Sequence, residues 1–204
     1  MGLGGAIGAA IGAALAVNFT LFMSALPAVA GKGAPYMPTL RKSLDVVFGK
    51  VLPKLKPVEA GKATPIMVDL GSGDGRVVIE AARHGYRAVG YELNPMLVAV
   101  SHTWAFWDQH LAHRVLKNRK PWPETASVEF KCRDLWKVNL SNADIILVYG
   151  LSPIMDRLSV KLMDECKDDV LIFSNVFTLP EAWRRIQSSE EVHVYSKATT
   201  TSDK

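Results

Sequence analysis

The chain has 204 residues, 49% hydrophobic and 22% charged, with a net charge of +4. That suffices for one globular domain with a real core plus an appendage, and it is too apolar for a disordered chain. No dense basic patch interleaved with aromatics is visible, which speaks against nucleic acid as a partner. Cys132 and Cys166 form no CxxC pair, so a zinc knuckle or a redox pair lacks support.

Residues 1–31 carry no charged side chain. The apolar run over 6–30 exceeds the roughly 20 residues a membrane-spanning helix needs. Gly4, Gly8 and Gly12 recur every four residues, either a close-packing face for a second helix or an accident of a Gly-rich tail. Ala28-Val29-Ala30 could serve as a signal cleavage site, but no basic stretch precedes it. A transit peptide would need arginine, and Ala6 stands where myristoylation wants Ser or Thr. The expectation is an uncleaved, single-pass anchor that puts residues 6–30 in a lipid bilayer. Between Gly31 and Lys62 seven basic residues oppose only Asp45 and Glu59. By the positive-inside rule the remainder lies on a cytoplasmic or matrix-like side.

Pro35-Tyr36-Met37-Pro38 makes a stiff, extended linker. Thr39 then caps a helix reaching about Leu52, which Pro53 and Pro57 end. Three parts follow: an anchor over 1–31, a linker with a pre-core helix over 32–65, and a domain over 66–204.

From Ile66 strands and helices alternate. Strands are expected at 66–70, 87–92, 127–131, 143–149, 170–175 and 191–196. Helices are expected at 75–84, from Asn94-Pro95 to about 118, at 154–166 and at 180–187. This alternation means an α/β, Rossmann-like, doubly wound and mostly parallel sheet. A full seven-strand sheet needs two strands after 175. The pattern shows one, which leaves the last strand in question. On the long helix, Leu97, Val98, Ser101, Trp104 and Ala105 are expected to share a face, and Trp104, Phe106 and Trp107 read as packing residues. His102, His110 and His113 read as surface residues, because no further ligand type stands at metal-binding spacing.

The chemistry gathers at Asp69-Leu70-Gly71-Ser72-Gly73-Asp74-Gly75-Arg76. An apolar strand ends in an acid, and a glycine-dense turn leads into a helix. Glu92 ends the second strand 23 residues after Asp69, where nucleotide-binding α/β folds place the acid that accepts from ribose hydroxyls. Asp134 follows the third strand, as either a third contact or a plain turn residue. The turn reads G-x-G-x-G with two acids, rather than the G-x-G-x-x-G that seats a pyrophosphate on a helix N-terminus. Two carboxylates suit a ligand with a positive end and no phosphate. S-adenosylmethionine fits that description better than a nicotinamide dinucleotide.

Asp69 to Arg76, together with Ala88-Val89-Gly90-Tyr91-Glu92-Leu93-Asn94-Pro95, resembles the seven-β-strand methyltransferases. More narrowly, the chain resembles the small membrane-anchored mitochondrial lysine methyltransferases that act on the ATP synthase c-ring protein or the adenine nucleotide translocase. The hydrophobic N-terminal segment, Pro35-Tyr36-Met37-Pro38 and Asp134-Leu135-Trp136-Lys137-Val138 carry that narrower likeness. It implies that Asp69 and the backbone of Gly71, Ser72, Gly73 and Gly75 hold the methionine part, that Glu92 takes the ribose, and that Asp134 takes the adenine edge. Tyr36 would help close the pocket, or else serve as a membrane-interface aromatic. It also implies a mitochondrial inner-membrane protein with its domain on the matrix side, acting on a membrane protein with an accessible lysine.

Strand four is followed by Tyr149-Gly150-Leu151-Ser152-Pro153, not by Asn/Asp-Pro-Pro-Tyr, which argues against an amide or base nitrogen as target. Tyr149 and Ser152 are the substrate-side candidates. No metal is required, since the sulfonium is itself the leaving group. Two other readings stay open: a non-catalytic assembly factor that keeps the fold, and a small-molecule methyltransferase at a membrane.

Overall fold

The computed structural model describes residues 41–116, 119–149, 152–175, 177–188 and 192–197. The expected anchor, the Pro-containing linker and Thr39 lie outside them. Among the described residues no helix is long and apolar enough to cross a membrane.

The chain opens with α1, a helix in three pieces: Arg41–Val46, a π-helical turn Val47–Val51, and Leu52–Leu55. Contrary to expectation, Pro53 does not end it. Pro53 occupies the first turn of the last piece, where a missing N–H breaks no bond. Leu44, Val47, Phe48, Val51 and Leu52 are buried against the sheet.

Strands β1 (Ile66–Leu70), β2 (Arg87–Glu92), β3 (Ser127–Cys132), β4 (Ile145–Val148), β5 (Leu171–Asn175), β6 (Trp183–Ser188) and β7 (Val192–Lys197) form one sheet in the order β3-β2-β1-β4-β5-β7-β6. Strands β1 to β5 run parallel, and β7 lies antiparallel to both β5 and β6. The sheet therefore has its full seven strands. The expected helix over 180–187 is instead the edge strand β6. Its Arg, Ile and Gln residues are competent helix formers, and tertiary pairing with β7 overrides that weak preference. Trp183 is buried, and its indole N–H donates to Ser159 Oγ at 2.9 Å, which fixes the strand's start.

Helices α2 (Arg76–Arg83), α3 (Pro95–Trp107, a π-helical turn Asp108–Ala112 and His113–Val115) and α4 (Ser152–Glu165) make the crossovers. Asn94 caps α3, its Oδ1 accepting from Met96 N at 2.9 Å. Side chains alternate across the sheet. Met67, Ala88, Ile145 and Leu147 pack with α1, α2 and α3 on one face. Val68, Leu70, Ile146, Val148 and Ile172 pack with Met155, Leu158 and Leu162 of α4 on the other. Strand β1 pairs with β2 on one side and β4 on the other, so strand order reverses there. A doubly wound sheet opens its ligand crevice at the C-terminal ends of such strands.

Candidate functional site

Asp69, Glu92 and Asp134 come from the C-terminal ends of three adjacent strands. Asp69 pairs with Gly90 in register, two residues before Glu92. Glu92 pairs with Cys132, and Arg133 N donates to Glu92 O at 2.9 Å, so Asp134 lies one residue beyond the end of the ladder. Sequence spacing thus becomes spatial adjacency.

Asp69 is 3% exposed. Its alternation with Met67 points it to the face covered by α1, α2 and α3. It has no hydrogen-bond or ion-pair partner among the described residues. Burial, then the nearby charges of Glu92 and Asp74, push its pKa up to about 8. A buried acid of this kind lacks a cation.

The turn after β1 folds back on itself. Gly71, Gly73 and Gly75 all have positive φ, at 85°, 55° and 79°. Gly71 N and Ser72 N donate to Tyr91 O at 2.9 and 3.0 Å, and Gly75 N donates to Ser72 O at 2.9 Å. Gly73 N donates to Glu92 Oε2 at 2.9 Å, and Arg76 N to Asp74 Oδ1 at 3.2 Å. These N–H groups would otherwise cradle a phosphate, and they are spent internally. Glu92 Oε1 also accepts from Asn94 N at 2.9 Å, so both oxygens are oriented by backbone while each keeps further acceptor capacity.

The site departs in two respects from the reading of the sequence. Asp74 does not add an open negative charge: Arg76 holds it through Nη2 to Oδ2 at 2.7 Å and Nε to Oδ1 at 3.0 Å. The argument against a phosphate therefore rests on Asp69, Glu92 and the spent amides. Gly75, expected to approach the ligand, is already required by packing. A Cβ there would lie 2.7 Å from Phe130 Cε1 and 2.8 Å from Ser101 Cβ. At Gly71, by contrast, a Cβ would meet nothing within 4 Å, which is the open space a ligand would need.

Ser72 is buried, and its Oγ has no hydrogen-bond partner. Asp134 is half-buried, and its Oδ1 caps a short 3-10 turn by accepting from Trp136 N at 3.1 Å. It is thus a turn residue that keeps a second oxygen for other work. Tyr149 directly follows β4, whose Val148 pairs with Leu70, so it stands beside the glycine turn. Ser152 is the first residue of α4. Tyr36 lies outside the described residues.

Reasoning from sequence missed two residues. Gly90 has no room for a side chain, since a Cβ would lie 2.7 Å from Ser72 Oγ. Asn175 ends β5 next to Tyr149; it is buried, and its Oδ1 has no hydrogen-bond partner. The signal for it was available: a polar pair, Ser174-Asn175, closes an otherwise apolar strand. Among the described residues no group of three or more His, Cys, Asp or Glu could hold a metal ion.

The donor set fits S-adenosylmethionine: a cation-seeking buried acid, an oriented acceptor for a diol, a glycine turn with open space, and no free phosphate cradle. Comparison with known proteins points the same way. The family model described as ANTKMT methyltransferase domain matches residues 69–186. A human lysine N-methyltransferase, named for the c-ring protein of ATP synthase, is 33% identical over 156 residues, covering 76% of this chain and 56% of that protein. The rat protein of the same name is 30% identical, covering 86% and 69%. The mouse adenine nucleotide translocase lysine N-methyltransferase is 36% identical over 123 residues, covering 59% and 46%. Most of these matches span about half the length of the relative. Among solved structures, an RNA methyltransferase from Salinibacter ruber in complex with S-adenosyl-L-homocysteine aligns with a TM-score of 0.57 and 26% identity, over 78% of this chain and 91% of that one.

Proposed function

The chain belongs to the family described as the ANTKMT methyltransferase domain, and on that premise we propose that it is an S-adenosylmethionine-dependent protein-lysine N-methyltransferase. Its acceptor is a lysine of a mitochondrial inner-membrane protein of the ATP synthase c-ring or ADP/ATP carrier class. The names of the human and mouse relatives support this acceptor class. Residues 6–30 anchor it, with the domain on the matrix side. The observation that carries the reading is Asp69: a buried carboxylate with no cation beside an oriented Glu92.

S-adenosylmethionine, when bound, supplies a methyl group activated by a sulfonium. Asp69 balances positive charge from within a dry pocket, where such a contact is stronger than in water. Glu92, fixed by Gly73 N and Asn94 N, accepts from the ribose hydroxyls at no cost in side-chain freedom. Asp134 takes the adenine edge, the backbone from Gly71 to Gly75 lies against the methionine part, and Tyr36 closes the pocket. On the acceptor side Tyr149, Ser152 and Asn175 stand after β4 and β5. The acceptor ε-amine, ordinarily with a pKa of about 10.4, must be neutral to attack. Burial near a cation lowers that value by as much as about 3–5 units, so alignment in the crevice can suffice without a dedicated base.

The test is mass spectrometry of membrane proteins incubated with the full chain and labelled cofactor. Label on lysine of an integral membrane protein, lost in Glu92→Ala, is expected. Label confined to small molecules, or no cofactor binding at all, would contradict the reading and favour the small-molecule or assembly-factor alternatives.

A further inference from the structure

Helix α3 is built the wrong way round for a helix that only packs on a sheet. Its buried side is made of Leu97, Ser101, Ala105, Asp108 and Ala112, mostly small or polar. Its outer side carries Met96, Val100, Trp104, Trp107, Leu111 and Val115, at spacings of three and four residues. Trp104 is 55% exposed and Val115 70%. The π-helical turn Asp108–Ala112 has more residues per turn than an α-helix, which offsets the drift of a four-residue spacing and keeps Leu111 and Val115 in line with Trp107. Phe106, also exposed, flanks the stripe. A helix apolar all round wants cover on all sides.

The charges near the stripe identify the cover. From Gln109 through Pro123 the sequence has no acid, while Arg114, Lys117, Arg119 and Lys120 follow one another. Arg114 and Lys120 are exposed. The nearest acid, Asp108, is buried and taken by Arg83 and Trp122. An apolar stripe with tryptophans, ending in unopposed cations, matches an anionic bilayer interface. The uncharged segment 1–31 offers no acid to these cations and is a poorer match.

We propose that the outer face of α3, from Met96 to Val115 with Arg114 and Lys120 at its end, docks the folded domain onto an anionic lipid surface. The stripe begins beside exposed Leu93, one residue past Glu92. Docking there sets the crevice mouth at the membrane, where an embedded acceptor presents its lysine. The contact is separate from any anchor at 6–30, and it stands whether or not methyl transfer occurs.

The test uses the full chain with vesicles of phosphatidylcholine and phosphatidylglycerol carrying brominated acyl chains, and reads tryptophan quenching. Wild type is expected to be quenched. Trp104→Gln with Trp107→Gln should lose most of that quenching while Trp122, Trp136 and Trp183 still report a folded chain. Arg114→Gln with Lys120→Gln keeps both tryptophans and should weaken quenching about fivefold per cation removed, as should omitting phosphatidylglycerol. Circular dichroism confirms folding of each variant. Quenching unchanged in the tryptophan pair, or absent in wild type, would overturn the proposal. The second result would mean that a protein partner, a second copy or the chain's own N-terminal segment covers the face.

Discussion

Asp69 and Asp108 are both buried carboxylates, 3% and 5% exposed, and their surroundings are opposite. Asp108 sits where α3 meets α2. Arg83 Nε donates to it at 2.9 Å and Trp122 Nε1 at 2.8 Å. Burial alone would raise its pKa, but these hydrogen bonds and the Arg83 charge hold it below the ordinary carboxylate value. Asp69 has two other acids for neighbours and a pKa of about 8. A buried charge that the fold compensates is structural. One that the fold leaves uncompensated is kept for something that arrives later.

The largest expected effect breaks the compensated pair. Asp108→Ala leaves Arg83 with only Glu80 and strands the Trp122 N–H; a loss of about 3–5 kcal/mol is expected from denaturant unfolding, with cofactor affinity per folded molecule unchanged. Next is packing beneath the turn. Gly90→Ala drives a methyl into Ser72, so about 1–3 kcal/mol of stability should go, and because Ser72 lies in the turn, cofactor affinity should fall with it. Asp69→Asn should act in the opposite sense on stability. In the ligand-free protein the folded state holds the Asp69 proton up to about pH 8, whereas the unfolded chain releases it near pH 4. Stability contributed by that proton is full below the unfolded value and is lost as pH rises towards 8. Asparagine removes the dependence, so the variant should be more stable than wild type at pH 8, by about 1–3 kcal/mol, and no more stable at pH 4. The smallest effect is expected at Asn175→Leu, with stability within about 1 kcal/mol, unchanged cofactor affinity and a raised KM for the acceptor.

The compensated and uncompensated regions are not equally legible in the sequence. Asp69, the glycine turn, Glu92 and the Asn94 cap lie within local patterns whose spacing is set by one strand-turn-helix unit and the next strand. Their geometry follows. The partners that explain the rest come from far along the chain. Gly75 is glycine because of Ser101 and Phe130, and Asp108 is neutralised by a residue 25 positions earlier. Strand β6 is invisible locally because its residues read as helix until β7 pairs with them. The outward tryptophans of α3 read as core packing because composition counts apolar residues without showing which side of the helix meets the sheet.

The central claim is that Asp69 is reserved for the positive charge of S-adenosylmethionine. The most direct test is calorimetric titration of wild type and Asp69→Asn with S-adenosylmethionine between pH 6 and pH 9, in two buffers to count protons. The account predicts that wild-type affinity rises with pH up to about 8, with a proton released on binding below that value, and that Asp69→Asn binds weakly with no such dependence. Equal affinity in the two proteins, or wild-type binding without proton release at pH 6, would contradict it.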